Sequence, residues 1–118
     1  MAFTFCTSGA AIIKAGANRN VDIDANATAL DDFSNQVEGQ IIADTRRDWL
    51  TNWSSLTSGA QAAITDCASD LIAVKIIAYD PDSIGKSTAS FMTDVLLDNA
   101  KRNINNLKEF KSNEIKVP

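Results

Sequence analysis

Residues 60–79, AQAAITDCASDLIAVKIIAY, decide the fold class, because apolar residues lie on more than one side of the helix that they would form. One stripe recurs at steps of three and four residues, which is the period of a single helix face. Its members are Ala60, Ile64, Cys67, Leu71, Val74 and Ala78, and a second flank carries Ile72, Ile76 and Ile77. Such a helix is either buried deeply in its own domain or shared with another subunit.

Two more helices are predicted on the N-terminal side of this segment. A short one begins at Thr7 or Ser8 and ends at Gly16 or Asn18, since these residue types favour helix ends. The other covers about 25–45. Its core stripe also recurs at three- and four-residue steps and consists of Leu30, Phe33, Val37 and Ile41. Gly39 lies inside that helix, which indicates a place where a neighbouring helix or subunit passes closely.

A fourth helix is predicted for about 88–110, after the chain is broken at Pro81. One line along it combines apolar and amide side chains, namely Met92, Leu96, Asn99, Asn103, Leu107 and Phe110. The final residues, KSNEIKVP at 111–118, have no helical period and are interpreted as an extended arm. The sequence therefore predicts an all-α bundle of about four helices in residues 1–110, followed by a C-terminal arm.

The stretch VDIDANATALDDF at 21–33 could be a calcium loop or the start of the second helix. A calcium loop that began at Asp22 would need glycine at its sixth position and glutamate at its twelfth. Those positions hold Ala27 and Phe33. A helix start fits instead, because Asp24 or Asn26 can accept a hydrogen bond from the first turn. The pattern favours the helix start.

Trp49, Trp53, Asn99 and Asn103 are candidates for either the core or a subunit interface. The two tryptophans are four residues apart, so one helical turn would place them on one face, and we expect Trp49 to be the more buried. Tryptophan fills gaps between helices and is also frequent at interfaces. Asn99 and Asn103 lie on an apolar line, so they are either partly exposed or bonded to a packed neighbour. Ile72 and Ile76 are candidates of the same kind.

The charge distribution is uneven. The 118 residues carry a net charge of −4, but residues 101–118 hold five basic and two acidic side chains and the rest of the chain is acidic. An acidic body argues against general binding to nucleic acid, which needs a basic face. Cys6 and Cys67 are expected to be reduced and buried. No apolar stretch approaches 18 residues, so no membrane segment is expected.

Nothing in the sequence indicates catalysis, a metal site or a cofactor. The chain has no histidine, so it lacks the commonest general base and the commonest metal ligand. GKST at 85–88 is similar to the end of a phosphate-binding loop, but Asp80 stands where that loop needs another glycine. The protein is therefore expected not to be an enzyme.

The order and spacing of these segments over nearly the whole chain resemble the head–tail connector, or adaptor, proteins in the neck of tailed bacteriophages. Four segments carry the resemblance. They are TSGAAIIKAG at 7–16, ATALDDFSNQVEGQIIADTRRDW at 27–49, AITDCASDLIAVKIIAYD at 63–80 and ASFMTDVLLDNAKRNINNLKEF at 89–110.

The resemblance implies a small helical virion protein that forms a homo-oligomeric ring, commonly a dodecamer, beneath the portal protein. Such a ring extends the DNA channel without binding DNA specifically, and it provides the platform for the tail or stopper protein. The protein would be found in the neck of the virion, and in the host cytoplasm during assembly. The resemblance also implies a portal-binding role for the arm. The residues expected to bind are Lys111, Glu114, Ile115, Lys116, Val117 and Pro118.

A ring needs two different surfaces on each subunit. The broad apolar surface of the third helix and the asparagine line of the fourth could supply them. The alternative interpretation is a small helical binding module, such as a regulator or an assembly chaperone, that acts as a monomer or a dimer.

Overall fold

A computed structural model describes residues 3–16, 26–46, 49–50, 53–79 and 85–109 of the chain. Four α-helices follow one another: α1 (Ser8–Ala15), α2 (Ala27–Thr45), α3 (Ser58–Tyr79) and α4 (Lys86–Glu109). A 3₁₀ turn, Trp53–Ser55, lies between α2 and α3. The predicted all-α bundle of about four helices is confirmed. The predicted arm at 111–118 lies outside the described residues.

Side chains with oxygen acceptors fix the starts of the first three helices. The Oγ1 atom of Thr7 accepts a hydrogen bond from the backbone N–H of Ala10. Asn26 does the same for Ala29 at the start of α2, so the stretch at 26–33 is a helix start, as predicted. Thr57 plays this part for Ala60 in α3. Each bond satisfies an N–H group that a helix would otherwise leave without a partner.

Three of the described helix ends use backbone conformations with positive φ, and at one of them, after α2, the residue is Arg46 with φ of 59°. Gly16 follows α1 with φ of 95°, and Gly85 precedes α4 with φ of 101°. Glycine adopts such values easily because it has no Cβ atom. The start of α4 lies two residues before the predicted one, since the carbonyl of Gly85 already accepts a hydrogen bond from Ala89 N–H at 2.8 Å. Ser87 and Thr88 are therefore in the first turn and do not precede the helix.

Helix α3 is the centre of the bundle and packs against the other three helices. Both of its predicted apolar surfaces are covered by this chain. The buried residues are Ala60, Ile64, Cys67 and Leu71 of the first stripe and Ile72, Ile76 and Ile77 of the second flank. Val74 is half-buried and Ala78 is exposed, so the first stripe leaves the core at its C-terminal end. The choice left open for this helix is settled as deep burial within its own domain.

The residues before α1 are held against α2 and α3 by side chains that bond to their backbone. Ser34 Oγ accepts from Phe3 N–H at 2.7 Å, and Glu38 Oε2 accepts from both Thr4 and Phe5 N–H at 2.7 and 2.9 Å. Thr65 Oγ1 donates to the carbonyl of Phe5 at 2.6 Å. The Phe5 ring is buried next to these hydrogen bonds. The N-terminal segment is thus part of the folded domain.

The prediction of a closely packed helix at Gly39 is wrong for the described part of this chain, while a neighbouring subunit at this position stays a prediction. Gly39 is exposed, and a Cβ atom placed on it would have nothing within 4 Å. The other positions of the α2 stripe behave as predicted, since Leu30, Val37 and Ile41 are buried and Phe33 packs against the core. Gly39 is therefore a surface glycine in the middle of a helix.

Candidate functional site

Five polar side chains from three helices meet at one place, which we call the Lys14 cluster: Lys14, Asp66, Asp70, Asn99 and Asn103. Lys14 Nζ donates to Asp66 Oδ1 at 2.5 Å, to the Asp66 carbonyl at 3.2 Å and to Asp70 Oδ1 at 2.8 Å. Asn99 Nδ2 donates to Asp66 Oδ2 at 2.9 Å and also to Asp70 Oδ2. Asn103 Nδ2 donates to Asp66 Oδ2 at 2.8 Å.

Helix periodicity creates this arrangement. Asp66 and Asp70 are one turn apart on α3, and Asn99 and Asn103 are one turn apart on α4, so each pair lies on one face of its helix. The two pairs face each other across the α3–α4 contact. Lys14 reaches the same place from the last turn of α1, where a cation also interacts favourably with the negative end of the helix dipole.

The charges of the Lys14 cluster stabilise one another. Burial disfavours the charged form of Lys14, but its hydrogen bonds and charge interactions with Asp66 and Asp70 outweigh burial and raise its pKa. Burial likewise disfavours the charged form of Asp66. The hydrogen bonds from Lys14, Asn99 and Asn103, with the charge of Lys14, outweigh that effect and lower the pKa of Asp66. These shifts favour an ionised Lys14–Asp66 pair in the folded protein.

The Lys14 cluster is suited to hold helices together rather than to bind a ligand through Lys14. An ammonium group has three N–H donors, and all three of its acceptors lie on α3. Asp70 is 2% exposed and is bonded to both α1 and α4. Within the described residues no group of three or more acidic, cysteine or histidine side chains could hold a metal ion.

An apolar groove lies directly beside the Lys14 cluster. It is lined by Phe91, Met92, Val95 and Leu96 of α4 together with Lys14, and its volume is about 210 Å³. Phe91 is 67% exposed and Val95 is 53% exposed. Both residues therefore lie outside the core. We call these five residues the apolar groove.

The two cysteines are buried and make no disulfide, as expected. Loss of solvation is the main reason for their low acidity. It raises the pKa of Cys6 to about 11, with a further contribution from Glu38, and the pKa of Cys67 to about 12, with further contributions from Asp70 and Asp66. Both thiols stay protonated at neutral pH, so neither is a reactive nucleophile.

The tryptophans occupy two different environments. Trp49 is 1% exposed, and its Nε1–H donates to Thr45 Oγ1 at 2.7 Å. Trp53 is half-buried, and its ring lies 5.2 Å from that of Phe5. The expectation that Trp49 is the more buried is confirmed. Both residues contribute to the packing of this chain, Trp49 within the core and Trp53 at its edge.

Four other candidates also have their contacts inside this chain. Ile72 and Ile76 are 0% and 1% exposed. Asn99 and Asn103 are half-buried and belong to the Lys14 cluster. The second flank of α3 and the asparagine line of α4 are thus largely used within the bundle. The predicted portal-binding residues of the arm lie outside the described residues. They are Lys111, Glu114, Ile115, Lys116, Val117 and Pro118.

Sequence reasoning missed Lys14, Asp66, Asp70 and Glu38. A signal for Asp66 and Asp70 was present, because this acidic pair and the amide pair 99/103 have the same four-residue spacing on adjacent helices. Glu38 gave no such signal, since its partners are backbone N–H groups more than 30 residues away.

No protein family model, curated protein or solved structure was found to match this chain. Among the residues that the structure describes, no helix is both long enough and apolar enough to cross a membrane.

Proposed function

We propose that this protein is a structural virion component, a head–tail connector that forms a ring under the portal of a tailed bacteriophage. The ring extends the DNA channel and carries the tail or stopper protein. The observation that supports this most is that charged side chains are used inside the bundle while large apolar side chains are exposed on it. Its charged residues at the Lys14 cluster serve helix packing, while Phe91 and Val95 are left outside. This division suits a protein that acts through contacts.

The charge distribution supports a role in which the protein lies next to DNA and does not bind it. An acidic body repels phosphate, so a duplex can move past it. The basic residues near the C-terminus, in contrast, are suited to acidic protein surfaces. We assign the arm, through Lys111 and Lys116 with Ile115 and Val117, to binding of the portal protein. No catalytic or cofactor role is part of the proposal.

The apolar groove favours a second candidate function, a small helical binding module. A groove lined by Phe91, Met92, Val95 and Leu96 can accept apolar side chains from a partner helix. Such a module would act as a monomer or a dimer, whereas the connector forms a ring with the portal. The mass of the assembly therefore separates the two candidates.

The test is a reconstruction of the neck of the phage that encodes this chain, combined with portal-binding measurements on arm variants. We expect a ring of copies of the chain below the portal. We also expect alanine at Ile115 and Val117, or at Lys111 and Lys116, to weaken portal binding at least tenfold. Particles that lack the chain would contradict the connector, while unchanged binding by the arm variants would remove only the arm from the proposal.

A further inference from the structure

The residues in front of α1 are held by side chains of the neighbouring helices. Ser34 and Glu38 of α2 accept hydrogen bonds from three backbone N–H groups of this segment, and Thr65 of α3 donates to one of its carbonyls. We call residues 3–6 the N-terminal strap. None of them belongs to one of the four helices, so the helices keep their own backbone hydrogen bonds when the strap leaves.

Two features raise the free energy of the closed position of the strap. Phe3 has φ of 57°, in the left-handed region that a residue with a bulky side chain rarely adopts. Glu38 is 2% exposed, and its Oε1 atom is buried and accepts no hydrogen bond from the described residues, whereas Oε2 accepts two. A buried oxygen without a donor has lost its water and gained no partner. Both costs are relieved when the strap leaves, because Phe3 can relax and water can reach the carboxylate.

One apolar contact favours the closed position. The Phe5 side chain is 1% exposed, and its ring lies 5.2 Å from that of Trp53 at an angle of 35°. Burial of this ring outweighs the two local costs, so the closed position is the one that the structure shows. Cys6, the next residue, is 6% exposed in this position, and opening of the strap brings its thiol into water.

We propose that the N-terminal strap opens while the four helices stay folded. Opening breaks few buried apolar contacts, whereas unfolding of the bundle exposes the whole core, so opening has the lower free-energy cost. The open form uncovers the Glu38 carboxylate and the Ser34 and Thr65 hydroxyls, the groups that bind the backbone of the strap in the closed form. The strap thereby controls access to this surface of α2 and α3, and a partner that binds only there increases the open population.

The inference goes beyond the proposed connector and is independent of it, since opening is a property of a single chain and is measured without a portal. The two cysteines make it measurable, because only Cys6 lies in the strap. Cys67 is 0% exposed and its thiol contacts the Ala100 carbonyl of α4 at 3.6 Å, so a reagent reaches it only when α3 and α4 separate.

The test labels the purified full chain with iodoacetamide and follows each cysteine by mass spectrometry of its peptide. Each rate is divided by the rate of the same cysteine in concentrated urea, which removes differences in intrinsic reactivity. We expect Cys6 to react about tenfold or more faster than Cys67. Low urea concentrations should accelerate Cys67 and leave Cys6 almost unchanged, because opening exposes little surface and unfolding exposes much.

Two variants separate opening of the strap from unfolding of the bundle. Ile104→Val leaves a small cavity on α4, so it should accelerate Cys67 about threefold or more and leave Cys6 unchanged. Ser34→Ala removes an acceptor of the strap and should accelerate Cys6 about threefold or more. Gln36→Ala, on the exposed surface of α2, is the matched control and should leave Cys6 unchanged.

The inference is overturned if Cys6 and Cys67 react at the same normalised rate, or if urea and Ile104→Val accelerate both equally, because Cys6 would then need global unfolding. It is equally overturned if Ser34→Ala leaves the rate of Cys6 at that of the control, because the thiol would then react in the closed position. Circular dichroism verifies that every variant is folded when it is labelled.

Discussion

The inner surface of α3 and the outer surface of α4 carry similar apolar residues in opposite environments. Ile72 of α3 is completely buried, whereas Val95 of α4 is 53% exposed and lines the apolar groove. Both residues lie next to an apolar line in the sequence. The difference shows that a helical stripe identifies residues able to be buried, while the number of neighbouring helices decides which of them are buried within the chain.

The largest effect is expected from a truncation on the α3 side of this comparison. Ile72→Ala should lower the free energy of unfolding by about 2–5 kcal/mol, because it removes apolar contacts and leaves a cavity. Val95→Ala is the matched truncation on α4 and should change it by less than about 0.5 kcal/mol. Urea unfolding followed by circular dichroism measures both. Equal losses would mean that the two surfaces are not different environments.

A second contrast concerns charge. Asp70→Ala should lower the free energy of unfolding by about 3 kcal/mol, since it leaves Lys14 and Asn99 with fewer partners in a buried site. The control is Asp98→Ala on the exposed surface of α4, where the carboxylate pairs only with Arg102 among the described residues. That pair is largely exposed and its loss should cost less than about 0.5 kcal/mol. Similar losses for the two variants would contradict the role of the Lys14 cluster.

A substitution at Gly39 tests whether this exposed position of α2 is free of contacts with another element. Gly39→Ala should raise the free energy of unfolding by about 1 kcal/mol, because alanine favours the helix and its methyl group meets nothing within 4 Å. Thermal unfolding detects the gain. A lower stability would show that another element occupies this surface.

The smallest expected effect is a pH dependence. The pKa of Asp66 is lowered in the folded protein, so its contribution is complete above the ordinary value of 3.8 and is lost as the pH falls from 3.8 through the folded value. The pKa of Lys14 is raised, so its contribution is complete below 10.5 and is lost as the pH rises through the folded value.

The contribution of Asp66 at low pH is measured from the unfolding free energies of the wild type and of Asp66→Asn at pH 7 and pH 3. The wild type should lose more stability on acidification than the variant. The excess should be modest, because the Asp66 side chain is 45% exposed and water screens its interactions. An equal loss in both proteins would place the pH dependence elsewhere in the chain.

The helices could be predicted from the sequence because their signals are local. Apolar periodicity and oxygen-bearing residues such as Thr7 and Asn26 indicated four helices, and the structure confirms these two residues as N-terminal caps. The start of α4 was missed by two residues, since the first turn already begins at Gly85, whose carbonyl accepts a hydrogen bond from Ala89 N–H.

The candidate site was harder to predict because it depends on which helices become neighbours. The asparagines of α4 were identified as residues that need partners, but Asp66, Asp70 and Lys14 become their partners only once α1 and α4 pack on α3. Glu38 depends on the path of the N-terminal segment, which has no periodic signal. The exposure of Val95 reflects a missing neighbour, and periodicity carries no information about that.

We propose that this bundle is a connector that joins copies of itself to a portal. Native mass spectrometry of the wild-type chain mixed with the portal ring of the same phage tests it most directly. We expect a complex that contains one portal ring and a complete ring of this chain. Portal and chain that remain separate, with the chain at the mass of a monomer or dimer, would contradict the claim.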